Sequence, residues 1–140
     1  MKRTANAVWS GNLKEGEGNI TTQSGVLKDA QYCFNSRFGK GESTNPDELL
    51  AAAHSGCFAM ALSMILGKEG FTADSLDVTS TISMDVDKLE ITSSNLVLKA
   101  KIPNISQEKF MECAQAAKSG CPVSKALSIK INLDATLINS

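Results

Sequence analysis

The sequence has little of what marks most specialised classes. Histidine occurs once and no Cys-x-x-Cys pair is present, which argues against an ordinary mixed zinc site, so neither metal nor cofactor is expected. Charge of one sign is not in excess either. Fourteen lysines and arginines face fifteen acidic residues without clustering, which argues against nucleic acid and anionic membrane as partners. No run of eighteen apolar residues is free of polar ones, and Met1, Lys2, Arg3, Thr4, Ala5 and Asn6 do not form a hydrophobic signal core, so the chain is read as cytoplasmic. Repeats, low-complexity tracts and linkers are missing, and 140 residues suit a single domain, 1–140, with a core of its own. Only three prolines occur, and two of them, Pro46 and Pro122, stand where helices would begin.

What is present is organised around residues 44–70. Asn45 is a good N-cap, Pro46 suits the first helical position, and Glu48 can bond back to the cap. From Leu49 to Leu66 apolar and small residues cover almost every face, which predicts a buried helix with Cys57 at its middle. Before it, short strands and turns run to about residue 32. Residues 31–38 then alternate, with Tyr32, Phe34, Ser36 and Phe38 on one side and Cys33, Asn35 and Arg37 on the other, so a further strand is expected there. After it, residues 75–86 and 89–102 read as a hairpin turning at Asp87 and Lys88. A helix over 107–118 capped by Ser106 and stopped by Gly120, a short helix over 122–127 and a strand over 128–138 complete the order. This is an α+β pattern with mostly antiparallel sheet.

Four cysteines in a reducing compartment are more readily catalytic or inert than a structural disulfide framework. Cys57, alone in mid-helix, would be an inert small hydrophobe. Cys121, just before Pro122, would face free amide hydrogens at a helix start, which favour thiolate. Together they suit a two-cysteine thiol peroxidase, in which a thiolate becomes sulfenic acid and a second thiol condenses on it. Cys57 lies too deep in its helix for the dipole to help, so a cation must reach it, and Arg37 is the best candidate. A carboxylate to hold that arginine would be Asp47 or Glu48, whose plainer role is to favour the helix start. Asp47 stands ten residues before Cys57, about 15 Å along one helix axis. If both serve one site, a second subunit must supply the carboxylate. His54, three residues before Cys57, could form a Cys-His couple, but no second orienting group is evident and a buried histidine bonded to backbone is the commoner case. Cys33 and Cys113 read as core or surface residues. Phe34, Phe38, Phe58 and Met60 are core in the plain reading and line an apolar substrate pocket in the functional one.

Several motifs together resemble the osmotically inducible protein C and organic hydroperoxide resistance family (OsmC/Ohr), in its OsmC branch. They are Trp9 with Gly11, Ser24-Gly25-Val26-Leu27, Tyr32 to Phe38, Thr44-Asn45-Pro46, Ala52-Ala53-His54 with Cys57-Phe58, Met60-Ala61-Leu62, and Gly120-Cys121-Pro122-Val123-Ser124. The resemblance implies an intertwined homodimer whose antiparallel sheets wrap two long central helices. It implies a peroxidase acting on organic hydroperoxides in oxidative and osmotic stress, with a lipoyl-bearing protein or another dithiol as reductant. On matching positions Cys57 would be peroxidatic, Cys121 resolving, Arg37 the thiolate's cation and Asp47 the carboxylate orienting it. The family usually carries glutamate at that last position. Aspartate is a methylene shorter, so either the helix start shifts or Glu48 substitutes. The sister branch places its arginine in the first strand region, where this chain has Lys14. The rival from another class is a non-catalytic dimeric binding protein for a lipid-like ligand.

Overall fold

Pro46 opens the longest helix, as its position predicts, and three short strands and one short helix precede it. The computed structural model describes residues 1–138. In order, the elements are β1 (Ala5–Ser10), β2 (Glu17–Thr22), β3 (Ala30–Tyr32), α1 (Phe34–Phe38), α2 (Pro46–Lys68), β4 (Ser75–Asp85), β5 (Glu90–Lys101), α3 (Gln107–Gly120), α4 (Pro122–Ala126) and β6 (Lys130–Leu137). The chain divides into two compact units, the first Met1–Leu49 and the second from Leu50 onward, and each is described by itself.

The first unit is an antiparallel meander, β1-β2-β3. Gly18 lies opposite Trp9 in β1 and Tyr32 in β3, and a Cβ there would meet both rings at under 3 Å. Its missing side chain lets Trp9 and Tyr32 pack with centroids 5.4 Å apart. The strand expected over 31–38 is corrected: only Gln31 and Tyr32 of that run lie in a strand, the end of β3, and Phe34–Phe38 is helical. Cys33 caps that helix. The Ser36 hydroxyl accepts from the Cys33 amide at 2.9 Å and donates to the Cys33 carbonyl at 2.8 Å, and Gly39 closes the end on the Asn35 carbonyl at 2.9 Å. Phe34 and Phe38, four apart, fit a helix face as well as an alternating strand, and their rings stack at 4.7 Å.

In the second unit β4 and β5 form the expected hairpin, with a bulge between Ser83 and Met84. β6 pairs with β5 in parallel, an addition to the mostly antiparallel expectation, and a parallel pair demands a crossover, here through α3 and α4. Alternation along β5 turns Ser94, Leu96, Leu98 and Ala100 inward against Phe58, Leu62 and Leu66 of α2 and Phe110, Ala114 and Ala117 of α3. Each large side chain so buried contributes about 1.5–3 kcal/mol. Gly120 does not stop α3 as expected; it is the last helical residue. The break falls at Cys121, with ψ 127°, because the following proline ring excludes the helical region for the residue before it.

α2 is long and apolar enough to cross a membrane by length and composition alone. Yet it is not buried on every side, as its composition predicts. Phe58, Leu62 and Leu66 are fully buried, while Ala52, Ala53, Gly56, Met60, Ser63, Met64 and Gly67 are exposed along one stripe. A single chain supplies core for only one face of so uniformly apolar a helix.

Candidate active site

Cys57 and Cys121 meet in the second unit. Cys57 projects from the middle of α2 and is partly buried, whereas Cys121 is wholly buried at the junction where its amide bonds Ala117 at 2.9 Å and its carbonyl accepts from Lys125 at 3.0 Å. Both thiols are free and stand within hydrogen-bonding reach of each other. Burial pushes the Cys57 thiol up, and its hydrogen bond to Cys121 pushes it further. Burial also raises Cys121, but hydrogen bonds from Cys57, from the Ser124 amide and hydroxyl, and from the Val123 amide outweigh it and hold that sulfur below the ordinary thiol value. The first proton lost therefore belongs to the pair, with burial opposing charge on Cys57 and the hydrogen bonds around Cys121 favouring it there.

His54, one turn before Cys57, is fully buried and makes no couple with that thiol by any hydrogen bond. Nor is backbone its partner, as the commoner case would have it. Its Nδ1 lies 2.6 Å from Ser94 Oγ and its Nε2 2.8 Å from Ser124 Oγ, and Ser94 is 2.9 Å from Ser80 Oγ. These serines escaped the sequence reading although a signal existed. Ser80 and Ser94 each occupy an inward slot of an otherwise apolar alternation, where a hydroxyl needs a buried partner. Burial holds the imidazole's pKa below its ordinary value, so it is neutral.

Arg37 and Asp47 belong to the first unit. Arg37 sits near the end of α1 rather than on a strand, and its Nε and Nη2 donate to the two oxygens of Asp47 at 3.4 and 3.3 Å. This is a forked pair, with the arginine side chain a third exposed. Phe38 lies under the guanidinium at 5.5 Å. The Glu48 carboxylate instead accepts from the Thr44 hydroxyl at 2.8 Å, while the Glu48 amide is capped by Asn45 at 2.8 Å. The aspartate, despite its shorter arm, is the one that reaches the arginine. Beside this pair Trp9, Leu13, Tyr32, Cys33, Phe34, Phe38 and Pro46 enclose with Arg37 an apolar cavity of about 240 Å³. Phe34 and Phe38 thus line a pocket, Phe58 lies in the core of the second unit, and Met60 is 76% exposed. Cys33 has its thiol held low by the Ser36 amide, and Cys113 is buried on α3 with its thiol raised by desolvation.

Fold and site together define a class: α+β proteins with two three-stranded sheets and a paired-thiol centre beside a long apolar helix. Within that class the chain belongs to the OsmC-like protein family, whose model matches residues 39–135 and so takes in Asp47, Cys57 and Cys121. It is 42% identical over 139 residues to Peroxiredoxin OsmC of Escherichia coli (strain K12), covering 98% of this chain and 97% of that protein. An organic hydroperoxide resistance protein-like relative from Staphylococcus aureus (strain N315) is 35% identical over 96 residues, 67% of this chain and 69% of that protein. Among solved structures, the organic hydroperoxide resistance protein OhrB of Bacillus subtilis superposes with a TM-score of 0.66 at 26% identity, covering 95% of this chain and 98% of that one.

Proposed function

We propose that this protein is a thiol-dependent peroxidase of oxidative and osmotic stress defence that reduces organic hydroperoxides to alcohols, working as a homodimer. The observation that carries the reading is the contact of two thiols 64 positions apart in sequence. The Cys57 thiolate attacks the outer peroxide oxygen, the O–O bond breaks, and the alkoxide leaves with a proton as the alcohol. Cys121 then attacks the Cys57 sulfenic acid, an S–S bond replaces the S–O bond, and water leaves. A dithiol reductant, such as a lipoyl-bearing protein, reopens the disulfide by exchange.

For Cys57 to be the nucleophile, charge must move onto it from Cys121, and a guanidinium does this. Arg37 is tied to Asp47 within one chain, and Asp47 is about 15 Å from Cys57 along α2, so the partner's ion pair is the one brought to this sulfur. The exposed stripe of Ala52, Gly56, Ser63 and Gly67 on α2 supports such pairing, since small residues let two helices approach closely. An alkyl chain suits the aromatic cavity around Phe34 and Phe38, which offers little to a small polar peroxide.

The test is to mix reduced protein with cumene hydroperoxide, count free thiols and map the product. Loss of two thiols per chain with a disulfide between Cys57 and Cys121 is expected, and Cys57→Ser should abolish consumption while Cys113→Ser leaves it intact. No fast thiol loss, with a lipid-like ligand still bound, would overturn the reading in favour of a binding protein.

A further inference from the structure

The second unit holds a buried polar chain that the peroxidase reading does not use. Ser80, Ser94, His54 and Ser124 are linked at 2.9, 2.6 and 2.8 Å, and Ser124 continues to the Cys121 sulfur. His54 and Ser94 have no exposed surface and Ser124 very little, whereas Ser80 is half-buried on β4, the edge strand of its sheet. Every buried polar side-chain atom among the described residues is satisfied, so this is a closed network rather than a set of strays.

A hydroxyl has one hydrogen, and that fixes how the chain can be arranged. If Ser124 donates to the sulfur, it must accept from His54 Nε2, and His54 Nδ1 must then accept from Ser94, which accepts from Ser80. If the sulfur donates to Ser124, every bond runs the other way and the hydrogen sits on Nδ1. Two orientations exist, and they differ by one proton at each end.

We propose that His54 relays protons between Cys121 and the surface and so sets the ionisation of the resolving thiol. The proposal rests on Cys121 being that thiol. When Cys121 loses its proton, Ser124 Oγ takes it and passes its own to His54 Nε2. The Nδ1 hydrogen moves to Ser94, the Ser94 hydrogen to Ser80, and the Ser80 hydrogen to water. One proton leaves the protein, the imidazole exchanges tautomers without becoming cationic, and Cys121 is left a thiolate hydrogen-bonded by Ser124. Reduction of the disulfide runs the chain in reverse. His54 is thus a positioning residue for Cys121, and among the described residues the titratable groups acting on the cluster are the two thiols, Cys57 from α2 and Cys121 itself.

Two measurements test this without requiring peroxidase turnover. Histidine occurs once in the chain, so the protein labelled with ¹⁵N-histidine gives a single pair of ring signals. In a Cys57→Ala background, the hydrogen is expected on Nδ1 at low pH and on Nε2 once Cys121 has ionised; one unchanging tautomer across that titration would overturn the relay. In the same background, iodoacetamide alkylation of Cys121 is followed against pH. Ser124→Ala is expected to move the profile up by about one pH unit, the size of one lost charge-assisted hydrogen bond, with Ser124→Thr restoring it. Ser94→Ala, which leaves the sulfur's own contacts in place, should move it in the same direction by less. A profile unmoved by Ser94→Ala with secondary structure retained would make His54 a strut and end the proposal. If instead these shifts appear but cumene hydroperoxide consumes no thiols, the relay stands and the peroxidase reading fails.

Discussion

In the second unit fourteen side chains form a buried apolar core, whereas in residues 1–49 only Gly18 and Ser36 are buried, and Val8, Leu13 and Val26 lie exposed. The first unit holds its shape by strand ladders, a serine-cysteine cap and two aromatic pairs. That contrast follows the chemistry each carries. Sulfur is soft and tolerates a dry setting, and there its protonation responds strongly to a few hydrogen bonds; an ion pair is costly to desolvate and is kept where water still reaches it.

The largest expected effect is on stability. Phe58→Ala removes one of the two largest wholly buried side chains and should cost about 3–5 kcal/mol in urea unfolding, while Val26→Ala in the first unit should change it by under about 0.5 kcal/mol. Similar losses from both would mean that the first unit is as tightly packed as the second. Next is the ion pair. Arg37→Ala should lower hydroperoxide consumption by about 10²-fold, and Arg37→Lys by less, since lysine keeps the charge but not the fork. Alkylation mapping should at the same time show thiolate moving toward Cys121; equal labelling before and after would detach the arginine from the dithiol.

Smaller effects sharpen the contrast. His54 has a folded-state pKa below that of the unfolded chain, so acid favours unfolding through it. The stability it lends is fully present above the unfolded value near 6.5 and is lost as pH falls below that toward the depressed folded value. Urea midpoints should therefore fall between pH 7 and 5, and His54→Gln should flatten the slope. The least effect belongs to the surface. Lys109 bridges Glu69 and Glu112 at 3.5 and 3.4 Å in solvent, and Lys109→Ala should shift the urea midpoint only slightly, a shift that vanishes in high salt.

Much of this was legible along the chain. Asn45 and Pro46 placed α2, the alternation over 75–101 placed the hairpin, and Pro122 marked the helix start that holds Cys121. The run 31–38 misled because Phe34 and Phe38 are four apart, a spacing that satisfies both periods, and only the mutual bonds of Cys33 and Ser36 chose the helix. Gly120 misled because proline constrains the residue before it more firmly than glycine ends a helix.

By itself the sequence determined where helices and strands begin, which residues could carry charge or sulfur, and the family, since caps, periodicity and motifs are local properties. Only the tertiary structure decided that Cys57 meets Cys121, that Asp47 and not Glu48 holds Arg37, and that the sole histidine is wired through serines on a distant hairpin and a later helix. Those pairings depend on the crossover demanded by the parallel β5–β6 pair and on the turn of α1. They are contacts across long loops of chain, and no window of neighbouring residues encodes them.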